Sequence, residues 1–134
     1  MSWIRWRAVL VGFVVAASLA FSLGALANAA GIENPGSLAS LEFAALLLGG
    51  FVAGRMAGQF GMIQGVAVAS IFILGSAAIK AWIEIDLATT YGPQVLGPMD
   101  MGGLALGDLI HLVGATVGGR FADLANVRAS GGPS

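Results

Sequence analysis

The sequence contains no cysteine, which excludes a disulfide framework, a thiolate metal site and a cysteine nucleophile. Charge is scarce as well. Only 10% of the 134 residues are Asp, Glu, Lys or Arg, against roughly 25% in a soluble domain. So few polar groups cannot build the shell that a soluble core needs. A net charge of -1 gives no basis for nucleic acid as a partner. Catalytic signatures are missing too. The glycine runs lie within apolar stretches and no Gly-Lys-Ser/Thr follows them, so there is no phosphate loop. No His-x-x-x-His or Glu-x-x-His pattern offers a metal site, and no Ser sits in Gly-x-Ser-x-Gly. No metal, cofactor or enzymatic activity is expected.

What the chain does have is apolar length. It is 57% hydrophobic with a mean hydropathy of +0.90. A membrane span needs about 20 mostly apolar residues to cross a hydrocarbon core of about 30 Å. Such runs occupy Ala8–Ala30, Leu38–Arg55, Gly61–Asp86 and Met101–Ala122. Pro35-Gly36 marks the first connection as a turn. The second, at Met56–Phe60, is so short that its helices must be antiparallel neighbours. Residues 87–100 form an outer loop, where Pro93 and Pro98 stop a helix from continuing. The expectation is an all-α integral membrane four-helix bundle forming a single domain over residues 1–134.

Orientation follows from the basic residues. With four spans, Arg5, Arg7, Arg55, Arg120 and Arg128 fall on one side. Glu33, Glu84, Asp86 and Asp100 lie on the other, with Glu42 near that end. The positive-inside rule then places both termini in the cytoplasm, with the arginines as anchors. Trp3 and Trp6 mark the inner interface and Trp82 and Tyr91 the outer one. This is the pattern of a multi-pass protein of a bacterial cytoplasmic (inner) membrane. Residues 1–30 also carry signal-peptide features: Arg5 and Arg7, an apolar run and two Ala-x-Ala sites. Their apolar stretch exceeds the roughly 7–15 residues of a signal core, so a retained first span is expected.

Two inward-running segments look alike. Leu47–Ala57 and Leu112–Ala122 align at an offset of 65, with Leu, Gly, Val, Gly, Arg and Ala identical at six of eleven positions. This reads as a duplicated hairpin. The run Gly49-Gly-Phe-Val-Ala-Gly-Arg-Met-Ala-Gly58 resembles small four-helix bacterial membrane proteins of uncharacterised function. The second copy departs from that pattern, with Asp123 where the first has Gly58. The resemblance implies architecture and supplies no activity.

Lipid tails are as apolar as leucine, so helices associate in a membrane through close packing of small residues. Each span carries such residues at four-residue spacing. The ladders are Gly12, Ala16, Ala20 and Gly24, leading to Asn28; Ala45, Gly49, Ala53 and Ala57, flanked by Gly50, Gly54 and Gly58; Gly61, Gly65 and Ala69; and Gly103, Gly107, Ala115 and Gly119, beside Gly114 and Gly118. Four such ladders imply a compact bundle with surface left for other membrane subunits or for a second copy.

Ionisable groups within a span cost about 2.5–3.5 kcal/mol each on insertion scales, so they are functional candidates by default. Asp108 lies twelve residues before Arg120 and Glu42 thirteen before Arg55, which puts both about 18–20 Å from the inner arginines. Lys80, Glu84 and His111 complete an outer-half cluster. Its structural reading is ion pairing, with Lys80 reaching Glu84 or, across the bundle, Asp108. Its functional reading is an outward-facing cation or proton site, which needs an oligomeric transporter or channel. His111 has a third reading. Gly107 one turn away resembles the small-residue spacing of pigment-ligating histidines, so the ring could hold a pigment or haem. Asp108 could equally bond it.

Overall fold

The computed structural model describes residues 2–131, so the two extreme ends of the chain lie outside the described residues. Four helices follow one another: α1 (Trp6–Ala29), α2 (Pro35–Ala57), α3 (Gly61–Tyr91) and α4 (Met101–Ser130). All four are long and apolar enough to cross a membrane. A single 3-10 turn, Pro93–Val95, lies in the connection between α3 and α4.

Local chemistry sets most of the boundaries. Asn34 caps α2 by accepting from the Gly36 amide at 2.8 Å, and Pro35 takes the first helical position, where no donor is needed. Asp100 caps α4 through the Gly103 amide at 3.0 Å. Between α2 and α3 the backbone turns left-handed twice, at Gly58 (φ 75) and Phe60 (φ 53). A bulky side chain is strained in that region, and a ring contact with Trp3 at 5.4 Å holds Phe60 there.

Two helices outrun their expected spans. α3 continues through Leu87–Tyr91, which shortens the outer loop of residues 87–100 to residues 92–100. α4 does not stop at Ala122 but runs to Ser130. At about 1.5 Å per residue both exceed 40 Å, well beyond a hydrocarbon core of about 30 Å.

α2 and α3 each pack on both other helices and on each other, whereas α1 and α4 do not touch among the described residues. A two-fold axis relating the hairpins would exchange the α2–α3 contact with one between α4 and α1. The two hairpins therefore have similar sequences and unequal packing.

Glycine determines how close the helices come. A Cβ on Gly12 would stand 2.5 Å from the Gly49 carbonyl oxygen, and one on Gly49 would stand 2.6 Å from that of Gly12. A Cβ on Gly50 or on Gly65 would overlap the same atom, the carbonyl oxygen of Ala115. Gly118 meets the Leu47 carbonyl, Gly119 and Gly61 meet each other's carbonyls, and Gly54 meets the Ala122 methyl. Gly114 approaches Phe43 less tightly, at 3.0 Å. Most of these are contacts with a neighbour's backbone, at distances that only residues without a side chain allow.

The tight packing stops halfway up. The core of Val9, Ala16, Leu46, Ala53, Val68, Ala69 and Ala115 lies in the half of the bundle nearer Arg5 and Arg55, the inner half in the expected orientation. In the outer half Ala27 of α1 is buried, but α2 has no buried residue before Ala45, α3 none after Ala69 and α4 none before His111. The ladders end at the same level. At Gly24, Gly75 and Gly107 a methyl group would find nothing beyond its own helix within 4 Å. Gly103 meets only its cap Asp100, and Gly58 serves as a helix stop. Gly24, Gly58, Gly103 and Gly107 thus contribute no close helix contact, unlike the other nine glycines of the ladders.

Gly50→Leu, which drives a side chain into the Ala115 carbonyl, should destabilise the protein by roughly 3 kcal/mol or more, the upper range for overpacking. Gly24→Leu should change stability by less than about 0.5 kcal/mol. Reversible unfolding in mixed micelles, followed by circular dichroism, compares the two.

Candidate functional site

Two polar layers lie at different heights, and the inner one is not among the sequence candidates. Asp123 accepts from the Gly61 amide at 2.7 Å and the Met62 amide at 3.3 Å, and so caps α3 from α4. Gln64 is fully buried; it accepts from the Arg5 amide at 3.1 Å and donates to the Trp3 carbonyl at 2.9 Å. Asn126 accepts from the Arg55 guanidinium at 2.7 Å and donates to the Gly54 carbonyl at 3.3 Å. The two similar segments differ here for a visible reason: Gly58 ends α2, whereas α4 continues and Asp123 supplies acceptors to α3. The signal that could have found this layer is a carboxylate or amide in an apolar helix near unmatched helix ends.

The outer layer holds the five polar residues of the sequence cluster, and the structure sorts them. His111 Nε2 lies 2.9 Å from Glu42 Oε2, which ties α4 to α2 where the tight packing ends. Asp108, the other candidate partner for the ring, does not bond it among the described residues. Lys80 pairs with Glu84 at 3.9 Å within α3. Both are substantially exposed, so the pair contributes little stability. Lys80 and Asp108 share a groove without coming within ion-pair distance among the described residues.

That groove opens between the outer halves of α3 and α4. It encloses about 410 Å³, with Lys80, Glu84, Asp108 and His111 in its lining and Ile73, Ala77, Met99 and Leu104 among its apolar walls. A second groove, of about 400 Å³, lies between α1 and α2; Ala20, Gly24, Asn28, Glu33 and Glu42 line it. Glu42 faces one groove and His111 the other, so their hydrogen bond joins the two.

His111 is buried, with Phe72 edge-on at a ring separation of 5.1 Å. Its Nδ1 has no hydrogen-bond partner among the described residues. A pigment or haem metal needs a ring nitrogen with open space before it. Here Nε2 is engaged by Glu42 and Nδ1 is buried, although Gly107 one turn away leaves space. Among the described residues no three His, Cys, Asp or Glu side chains converge as a metal site.

The inner-end residues Trp3, Trp6, Arg5, Arg7, Arg55 and Arg120 are all exposed. Trp82 and Tyr91 are exposed as well, but they lie nine positions apart along α3. That is about 13.5 Å along a helix, too far for one interfacial plane unless α3 tilts.

Asp123→Ala should lower the unfolding free energy by about 1 kcal/mol, the usual cost of a lost helix cap. Asp123→Asn, which keeps one acceptor, should lose less. Thermal melts of the purified variants measure both. Compared with known protein families, with curated proteins and with solved structures, the chain matches none.

Proposed function

We propose that this chain is a non-catalytic, multi-pass protein of a bacterial cytoplasmic membrane, an accessory or scaffold subunit. It packs through small-residue faces against a larger membrane complex or against itself. One observation carries the reading. In the ladder of α1, Gly12 and Ala16 meet Gly49 and Ala53 of α2, whereas at Gly24 a methyl group would find no neighbour among the described residues. Ala20 and Gly24 continue the same face into an open groove. A small-residue face is a device for close helix approach. Here the outer end of one, at Gly24, is left without a close neighbour among the described residues. The groove between α1 and α2 fits the side chains of a further transmembrane helix.

Both ends of the chain face the cytoplasm in this reading, because the inner polar layer and the arginines share one end of the bundle. The hairpins descend from one ancestral hairpin, on the strength of the paired Gly-Arg segments. Their unequal packing arose later.

A second reading, a small oligomeric transporter or channel, draws on the gathering of Lys80, Glu84, Asp108 and His111 along one groove. Asp108→Asn and Glu42→Gln should then abolish flux into liposomes without loss of expression. Unchanged flux eliminates that mechanism.

Purification in mild detergent should yield the chain with a second protein or as a homo-oligomer, and Gly24→Ile should release it as a folded monomer. A wild-type monomer with no co-purifying chain overturns the subunit reading. Because the chain has no cysteine, orientation is readable from single cysteines. Gly97→Cys should react with an impermeant maleimide on intact cells, and Arg128→Cys only after permeabilisation.

A further inference from the structure

Around the turn between α2 and α3, four stretches of chain are drawn to one end of the bundle. Gln64 holds the N-terminal strap, accepting from the Arg5 amide at 3.1 Å and donating to the Trp3 carbonyl at 2.9 Å. The Trp3 ring lies against Phe60 of the turn, with 5.4 Å between centroids. Asn126 of α4 accepts from the Arg55 guanidinium at 2.7 Å, which fixes that side chain at the end of α2. Arg7 lies in the first turn of α1, and Arg120 three residues before Asp123 in α4. Arg5, Arg7, Arg55 and Arg120 thus stand at one end on well-tied backbone, and all four are exposed.

These arginines lack counter-charges. Counting Arg128, five arginines share this end with one carboxylate side chain, Asp123, which leaves +4. Six carboxylates and Lys80 leave -5 toward the other end. Asp123 does not relieve the imbalance, because its two oxygens accept from the Gly61 and Met62 amides. Among the described residues no arginine comes within ion-pair distance of an Asp or Glu. Large apolar and amphipathic side chains lie close to the arginines in the chain. Trp3, Trp6, Met56, Phe60 and Phe121 are all exposed. Cationic groups beside tryptophan rings suit the headgroup layer of a membrane, where charge and apolar surface are both in contact with lipid.

We propose that the arginine-bearing end of the bundle binds anionic phospholipid, with its phosphodiester on the guanidinium groups and its acyl carbons against the exposed aromatic rings. Arg55 is the central contact. Its guanidinium has five N–H donors and only Nη1 is engaged, by Asn126, so a planar fork remains for phosphate oxygens. Asn126 orients that fork and is a positioning residue. An inorganic anion would answer the charge and leave Trp3, Trp6 and Phe60 uncovered, whereas an amphiphile meets both. This surface exists only if the chain spans a membrane, as read above. It requires neither the subunit reading nor a given side for the arginines.

The three tryptophans divide between the ends, with Trp3 and Trp6 at this one and Trp82 toward the other, and each is quenched by bromine on a neighbouring acyl chain. The full-length protein is reconstituted in phosphatidylcholine liposomes carrying brominated phosphatidylglycerol or brominated phosphatidylcholine. With Trp82→Phe, phosphatidylglycerol should quench Trp3 and Trp6 with about 5- to 30-fold higher affinity than phosphatidylcholine, the scale of one or two engaged arginines. Arg55→Gln should lower that preference about fivefold. Excess inorganic phosphate at constant ionic strength should not relieve the quenching. With Trp3→Phe and Trp6→Phe together, Trp82 reads the acidic end and should show no preference. The proposal is overturned if the two lipids quench Trp3 and Trp6 alike, if Arg55→Gln changes nothing, if Trp82 shows the same preference, or if phosphate abolishes it. Quenching of no tryptophan by either lipid overturns the membrane-spanning reading and the proposal with it. The comparison of the two lipids needs no arginine variant, so it stands even if Arg55→Gln does not fold.

Discussion

The architecture depends on one carbonyl group. The Ala115 oxygen of α4 occupies the place where the side chains of Gly50 on α2 and Gly65 on α3 would begin. Three helices therefore meet at backbone distance around a single peptide. In water, leucines would drive such an assembly. In lipid they cannot, because the tails solvate a leucine as well as another leucine does. What remains is dispersion between closely apposed surfaces, individually small and collectively large. Removing side chains is the way to increase it. Glycine in a soluble helix is a liability of roughly 0.8–1.0 kcal/mol relative to alanine; at these positions it is the condition for contact.

From that constraint follows the asymmetry between the two ends. Close packing at Ala115 continues inward through Gly118, Gly119 and Gly54 and is sealed by Gln64, Asp123 and Asn126. Outward it continues for one turn and ends at the hydrogen bond between His111 and Glu42. Beyond it the helices present exposed apolar residues such as Leu74, Ile83, Leu106 and Phe21. An apolar surface facing lipid needs no cover. The unpaired glycines and the polar grooves in the same region are different, because neither gains anything from lipid alone. The docking reading proposed for this protein arises there, from the small-residue face of α1.

Much of this is legible in the sequence, for identifiable reasons. The four helices follow from apolar length, and the starts of two of them from Asn34-Pro35 and Asp100. The similar height of Asp108 and Glu42 follows from counting residues back from Arg120 and Arg55. The pairing inside the outer cluster is not legible. It depends on which helix faces which, so Glu42 rather than Asp108 reaches His111. Nor does a ladder of small residues say whether it is occupied, and Gly24, Gly103 and Gly107 carry the same pattern as Gly49 and Gly119. The inner layer leaves little trace because Gln64 and Asn126 are uncharged and Asp123 reads as a flaw in the repeat. Its role is visible only once α3 is seen to begin beside it.

Amide hydrogen exchange on the protein in detergent micelles, where water reaches open grooves, tests the division into a sealed inner half and an open outer half. Amides from Gly61 to Ala69 and from Gly114 to Ala122 should be the slowest in the chain. Those from Leu74 to Ile85 and from Leu104 to Ile110 should exchange faster by orders of magnitude. Uniform protection along the whole of α3 and α4 would contradict the account.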